Sequence, residues 1–242
     1  MLSRKLAPIL HSIRTFPSMI LESLHIPFHI VRQESDWKKL CDLFSGLDQY
    51  PLQEGAIQDL LKPAYHDYIS NFSAPLISLS LNRASFLFFF TRLMQAQNIL
   101  DLGSGFSSYV FRLSAQQTNH VVVTSVDDSE FWLREMKRFL EKYNLDDAQL
   151  WSLNQYLEEH SAMSTQDLCF LDMGDIGLRQ RLLPGLLSNV YHNKMVLIVD
   201  DFHVPTYRNF VTNLCEDKKV HVYSLRKVTR RRLSHMALII GS

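Results

Sequence analysis

The chain has 242 residues, 46% hydrophobic and 21% charged, which is enough apolar material for a full core and too much for a disordered chain. Its 25 Lys and Arg balance 25 Asp and Glu, so no net field draws it to nucleic acid or to an acidic membrane, and a small-molecule partner is expected. Cys41, Cys169 and Cys215 are an odd number without metal-type spacing, which excludes a disulfide framework and fits a reduced, cytoplasmic compartment.

In chain order, residues 1–31 place Leu2, Leu6, Ile9, Leu10, Ile13, Ile20, Leu21 and Leu24 at helical spacings, with Arg4, Lys5 and Arg14 off the stripe. His11 and Arg14 interrupt the apolar run of a secretory signal, and no small-residue cleavage site follows. The expectation is a helix packed on the domain or on a partner subunit, with a membrane-surface helix as the alternative. Residues 35–47 and 54–69 read as two polar-faced helices, the first opened by a Ser35/Asp36 cap, the second kinked or interrupted at Pro63. A longer helix is expected over 74–95, densely apolar from Phe86 to Phe90. Asn82, Arg83 and Arg92 break it well short of the roughly 20 apolar residues a bilayer needs. No Pro/Gly/Ser-rich linker follows these helices, so residues 1–95 are expected to cap a sheet domain over 96–242 and to offer a surface on which two copies could pair.

The stretch 98–128 reads as strand, glycine turn, helix, strand. Asn98 to Leu102 is a short apolar run, and Gly103-Ser104-Gly105 then supplies two residues without Cβ where the chain must turn sharply and can approach a ligand. Tyr109, Val110 and Leu113 recur at helical spacing, and the β-branched run 121–126 ends in Asp127-Asp128, an acid suited to a ribose. Together these make a nucleoside site at the first crossover of an α/β sheet, against the plainer reading of a βαβ unit with a glycine cap. A dinucleotide fingerprint would carry a third glycine where Ser108 stands, which argues against a nicotinamide oxidoreductase. Asp101, ahead of the glycines, suits a ligand with positive charge nearby.

The βα alternation continues with a helix over 130–143, striped by Phe131, Leu133, Met136, Phe139 and Leu140, and a short strand over 149–153. Strands are expected over 167–172 and 195–200, whose continuous apolar runs suit burial on both faces, with helices over 178–190 and 204–215. Strands over 220–225 and 235–241 are separated by too few residues for a helical crossover, so they should pair as an antiparallel hairpin. Arg230-Arg231-Arg232 in that connection reads as a solvated turn.

LDLGSGFSS and VTSVDDSEFWL resemble the first two motifs of class I S-adenosylmethionine-dependent methyltransferases. FLDMGD and LIVDDFHVPTYRNFV resemble the metal-dependent small-molecule O-methyltransferases of the catechol and antibiotic-sugar types. The resemblance implies a Rossmann-like methyltransferase fold of seven mostly parallel strands ending in an antiparallel hairpin. It implies S-adenosyl-L-methionine held by Asp101, Gly103, Ser104, Gly105, Asp127 and Asp128, with the region of Arg83 nearby and a small-molecule hydroxyl as acceptor. It also implies Mg2+ held by Asp172, Asp200 and Asp201. An electrostatic argument points the same way, since three carboxylates at neighbouring strand ends must share protons or bind a cation, and oxygen ligands favour a hard one. Against it, Asp200 or Asp201 could simply cap the following helix. Where the family often has a histidine as general base this chain has Asp175; His203 is the other candidate, unless it is a solvated loop residue. A non-catalytic scaffold that keeps the fold is the remaining alternative.

Overall fold

The computed structural model describes residues 30–75, 77–116, 120–159, 166–229 and 234–241, with side chains from Ser35 onward. The apolar stripe Leu2 to Leu24 of the helix expected over 1–31, and the Arg230-Arg231-Arg232 turn, lie outside these residues. Helices α1 (Ile30–Leu43), α2 (Tyr50–Asn71) and α3 (Leu81–Met94) precede the sheet. Then follow β1 (Asn98–Leu102), α4 (Phe106–Ala115), β2 (Val122–Asp127), α5 (Glu130–Lys142), β3 (Leu150–Ser152) and α6 (Leu153–Glu159). The remainder is β4 (Leu168–Leu171), α7 (Ile176–Asn193), β5 (Val196–Val199), α8 (Pro205–Lys218), β6 (Val220–Ser224), the single turn α9 (Arg226–Thr229) and β7 (Ala237–Gly241).

The sheet order is β3-β2-β1-β4-β5-β7-β6. β1 pairs in parallel with both β2 and β4, so the winding reverses between β1 and β4, and β7 lies antiparallel between β5 and β6. All four residues of β4 and of β5 are buried, because the period of two sends alternate side chains into two cores. Ile99, Leu168, Phe170 and Ile198 pack with α2, α3 and α4 on one face. Leu100, Cys169, Leu171 and Leu197 meet α7 and α8 on the other.

The helices before the sheet share its first core. Tyr65, Tyr68 and Phe72 of α2 interleave with Phe106 of α4 and Phe139 of α5, with ring centroids 5.2 Å apart for Tyr65–Phe106 and 5.0 Å for both Tyr68–Phe139 and Phe72–Phe139. Edge-to-face pairs of this kind contribute about 0.5–1.5 kcal/mol each beyond their buried area.

Three expectations about these helices are corrected. α1 starts ahead of Ser35, so Ser35/Asp36 is no N-cap; the Asp36 carboxylate instead accepts from the Ser224 N–H at 3.1 Å, tying α1 to the end of β6. α2 continues through Pro63 uninterrupted. α3 is shorter than expected, because the Ser78 hydroxyl bonds Ala74 O at 2.8 Å and Ser73 Oγ at 3.0 Å, holding a local turn that competes with helix before Ser80. Among the described residues no helix is long and apolar enough to cross a membrane.

Candidate functional site

In a sheet of this winding, ligands lie beyond the carboxyl ends of the strands where the order reverses, here between β1 and β4. The glycine turn sits at that point. Gly103 has φ +122°, and a Cβ there would lie 2.8 Å from the backbone carbon and oxygen of Asp172 and 2.9 Å from the Met173 nitrogen. Its N–H donates to Val126 O at 2.8 Å, wedging the turn between the ends of β2 and β4. At Gly105 a Cβ would meet only the Tyr68 hydroxyl, at 3.8 Å, so the start of α4 presents open backbone.

Asp127 fastens this turn. Its Oδ2 accepts from Ser104 N at 2.7 Å and Ser104 Oγ at 3.0 Å, and its Oδ1 from Ser129 N at 2.8 Å. Burial pushes its pKa up to about 7, against the Ser129 and Ser104 bonds that favour the charge. The neighbouring Asp128 is exposed, and a Cβ on Gly174 would lie 3.1 Å from its Oδ2, so this carboxylate faces the loop after β4.

Asp101 is wholly buried beneath the turn. Its Oδ1 accepts from Ser107 Oγ at 2.9 Å, and its Oδ2 from Ser108 Oγ and, at 3.0 Å, Ser125 Oγ. Arg112 Nη1 donates to Ser125 Oγ at 2.8 Å, completing a network that locks the first turn of α4 to β1 and β2. Burial raises Asp101 to about 6 despite these donors.

Asp172, Asp200 and Asp201 do converge at the ends of β4 and β5, and two arginines converge with them. Arg179 of α7 reaches Asp172 Oδ1 at 2.8 Å and Asp201 Oδ2 at 3.0 Å; Arg83 of α3 reaches Asp200 Oδ2 at 2.6 Å and also donates to Ser234 Oγ. Asp200 Oδ1 accepts from Asp201 N at 2.7 Å. Burial, and then Asp200, push Asp172 well above the usual carboxylate range; burial raises Asp200 as well. Asp201 is lowered, its burial outweighed by Arg179, His203 and Arg83. Burial alone would lower the Arg179 pKa, but Asp172, Asp201 and Asp200 raise it, so the guanidinium keeps its charge. Each of the three carboxylates already has an oxygen engaged by an arginine, and a Mg2+ would have to share the cluster with two guanidiniums. The donor set as arranged does not fit the metal.

His203 stands beside the cluster, its Nδ1 3.1 Å from Ser234 Oγ and 3.7 Å from Asp201 Oδ1, its pKa lowered by burial. Neither Asp200 nor Asp201 caps α8, whose N-cap is Val204 without a side-chain bond. Asp175 is the residue that caps a helix: its carboxylate accepts from Leu178 N at 2.8 Å at the start of α7. Asp175→Ala is therefore expected to cost about 1 kcal/mol in urea denaturation and to leave ligand binding unchanged.

Sequence reasoning passed over Arg112 and Arg179, although a signal was present. Arg179 shares a buried stripe with Leu183, Leu186, Leu187 and Val190, and Arg83 one with Phe86, Leu87 and Phe90; a cation at a core position demands a buried anion. A cavity of about 240 Å³ lies at the opposite end of the strands, lined by Thr91, Gln95, Ala96, Ser114 and Val121. It is at the amino ends of β1 and β2, away from every acid described above.

No family model and no curated protein matches this sequence. Solved structures do match its fold. The S-adenosylhomocysteine-bound methyltransferase PaMTH1 of Podospora anserina superposes with TM-score 0.59 at 16% identity over 76% of this chain and 88% of its own. The O-methyltransferase TomG of Streptomyces achromogenes, involved in tomaymycin synthesis and solved with S-adenosylmethionine, gives 0.55 at 14% over 90% and 100%. An O-methyltransferase of Bacillus cereus in complex with S-adenosylhomocysteine gives 0.53 at 15% over 87% and 99%. With six parallel strands and one antiparallel strand in the order β3-β2-β1-β4-β5-β7-β6, the chain has the Rossmann-like fold of the class I methyltransferases.

Proposed function

We propose that this protein is an S-adenosylmethionine-dependent methyltransferase whose acceptor is a hydroxyl of a small molecule. The observation that carries the reading is the glycine turn, held at φ +122° between β2 and β4 at the reversal of the sheet, with open backbone at Gly105 and the exposed Asp128 beside it. S-adenosylmethionine would bring a methyl already activated on a sulfonium, so the protein has only to align an oxygen with it and help remove a proton. Gly103, Ser104 and Gly105 would present backbone to the cofactor, Asp127 would hold that backbone in shape, and Asp128 would accept the ribose hydroxyls. Asp101 would set the start of α4 from below. The acceptor would lie beyond β4 and β5, under the helices that precede the sheet, α1 to α3. His203 is the base in this reading: its lowered pKa keeps it neutral near pH 7, and Ser234 holds Nδ1, leaving Nε2 for the acceptor proton. No step is routed through Mg2+, because Arg83 and Arg179 already occupy the carboxylates it would need.

The balanced charge of the chain agrees with a small-molecule partner rather than nucleic acid. Thermal denaturation with S-adenosylhomocysteine tests the reading. At 100 times its Kd the ligand should stabilise the fold by about 2.7 kcal/mol, while NAD should do nothing. Asp128→Ala should weaken S-adenosylhomocysteine about tenfold, by loss of charge-assisted hydrogen bonds. Equal stabilisation by NAD would overturn the cofactor assignment, and no stabilisation by either compound would leave a scaffold that keeps the fold.

A further inference from the structure

We infer that Arg179, seconded by Arg83, is the resident cation of the strand-end acid cluster, standing where a divalent metal would stand, so that the protein is indifferent to such metals as long as Arg179 is present. The surroundings of Arg179 are those of a hard cation. Its guanidinium faces carboxylate oxygens of Asp172 at 2.8 Å and Asp201 at 3.0 Å, and donates to the carbonyls of Asp172 at 3.2 Å, Met173 at 3.2 Å and Gly174 at 3.3 Å. An all-oxygen shell drawn from two carboxylates and backbone carbonyls is what Ca2+ takes from a protein, and its two carboxylates are what Mg2+ takes alongside its waters. Here one planar group with five N–H donors fills it from α7.

Arg179 cannot swing aside to admit an ion. Its side chain is 7% exposed, and its stem lies on the helix face that buries Leu183, Leu186 and Leu187. Asp200, the third carboxylate, is taken by Arg83, so three carboxylates meet two fixed guanidiniums. A divalent ion added to this set would face two guanidiniums across a few ångströms of poorly solvated space. Arg179 thereby becomes a positioning residue: it bridges the loop after β4, against which Gly103 is pressed, to the loop after β5, which carries His203.

The inference rests on the cluster's geometry, and its test reads ion binding rather than methyl transfer, so it can fail while the proposed function stands. The whole protein is titrated with Mn2+ by electron paramagnetic resonance and melted with Mg2+, Mn2+ or a chelator. The native chain should bind neither ion below millimolar concentration and should melt at the same temperature throughout. Arg179→Met keeps the apolar stem and uncovers the carboxylates; it should bind Mn2+ at least about tenfold more tightly than the native chain and melt higher with it. Arg179→Lys, which restores a cation, should return to indifference. A structural arginine without this role would not produce a gain of ion binding. Tight Mn2+ binding by the native chain that Asp200→Asn abolishes would overturn the inference, and so would a folded Arg179→Met that gains no affinity. If Arg179→Met does not fold, the native titration still decides.

Discussion

Gly103→Ala is expected to cost about 3 kcal/mol of folding free energy and to abolish stabilisation by S-adenosylhomocysteine. Two effects add. A non-glycine residue at φ +122° carries about 1–3 kcal/mol of backbone strain. The new methyl would also overlap the Asp172 and Met173 backbone at 2.8–2.9 Å, and a strand end held by the Asp172 N–H bond to Leu102 O can give way only by distorting the sheet. The comparison glycines separate the causes. At Gly174, with φ +60°, the closest atom to a new Cβ is the Leu178 Cδ2, the far end of a side chain that can rotate, so Gly174→Ala should cost about 1–2 kcal/mol. Gly55, inside α2 with nothing within 4 Å, should be stabilised by alanine by about 0.5–1 kcal/mol. Urea midpoints for the three variants, each with and without ligand, measure both effects. A Gly103→Ala chain as stable as Gly174→Ala would show that the β4 loop yields and that the turn is not clamped.

Arg83→Ala should be the most damaging single charge removal, at about 3–5 kcal/mol, because it strands Asp200 without its partner in a nearly dry site. Arg83 and Asp200 meet at 2.6 Å with side chains 9% and 3% exposed, so solvent does little to screen the loss. The penalty should depend on pH. Burial already raises the pKa of Asp200, and without Arg83 it rises further; an ionised carboxylate is then the costly form in the fold. Protonation relieves that cost, so the penalty should shrink as pH falls toward 5 and be largest near pH 8. Adding Asp200→Asn to Arg83→Ala should recover part of the loss, since no charge is left to bury. A double-mutant cycle in urea at both pH values provides the check. A pH-independent loss, unrelieved by the second substitution, would mean that Arg83 acts through packing of its stem.

This pair also joins α3 to the end of β5, across 117 positions of sequence. The Tyr65, Tyr68 and Phe72 rings seated on Phe106 and Phe139 pack α2 against α4 and α5 in the same core.

The amino-acid sequence by itself determined the strands, the glycine turn and the acids that close the strands. Each is a local matter: a buried strand needs a continuous apolar run, a sharp exit needs a missing Cβ, and both are written in consecutive residues. That is why 98–102 and 196–199 were found within a residue or two, and why Asp172, Asp200 and Asp201 could be expected at one edge. Helix limits were less legible: α1 begins before the residues that look like its cap, and Asp36 spends its carboxylate on Ser224 instead, 188 positions away. Only the tertiary structure decided how the charges are answered. Arg83 and Arg179 come to the acid cluster from different helices, Asp127 turns inward to hold Ser104, and Asp128 remains exposed. The physical reason is that a buried charge is governed by whatever lies within a few ångströms of it in space. Whether a carboxylate cluster meets a metal, a proton or an arginine therefore depends on how the helices pack.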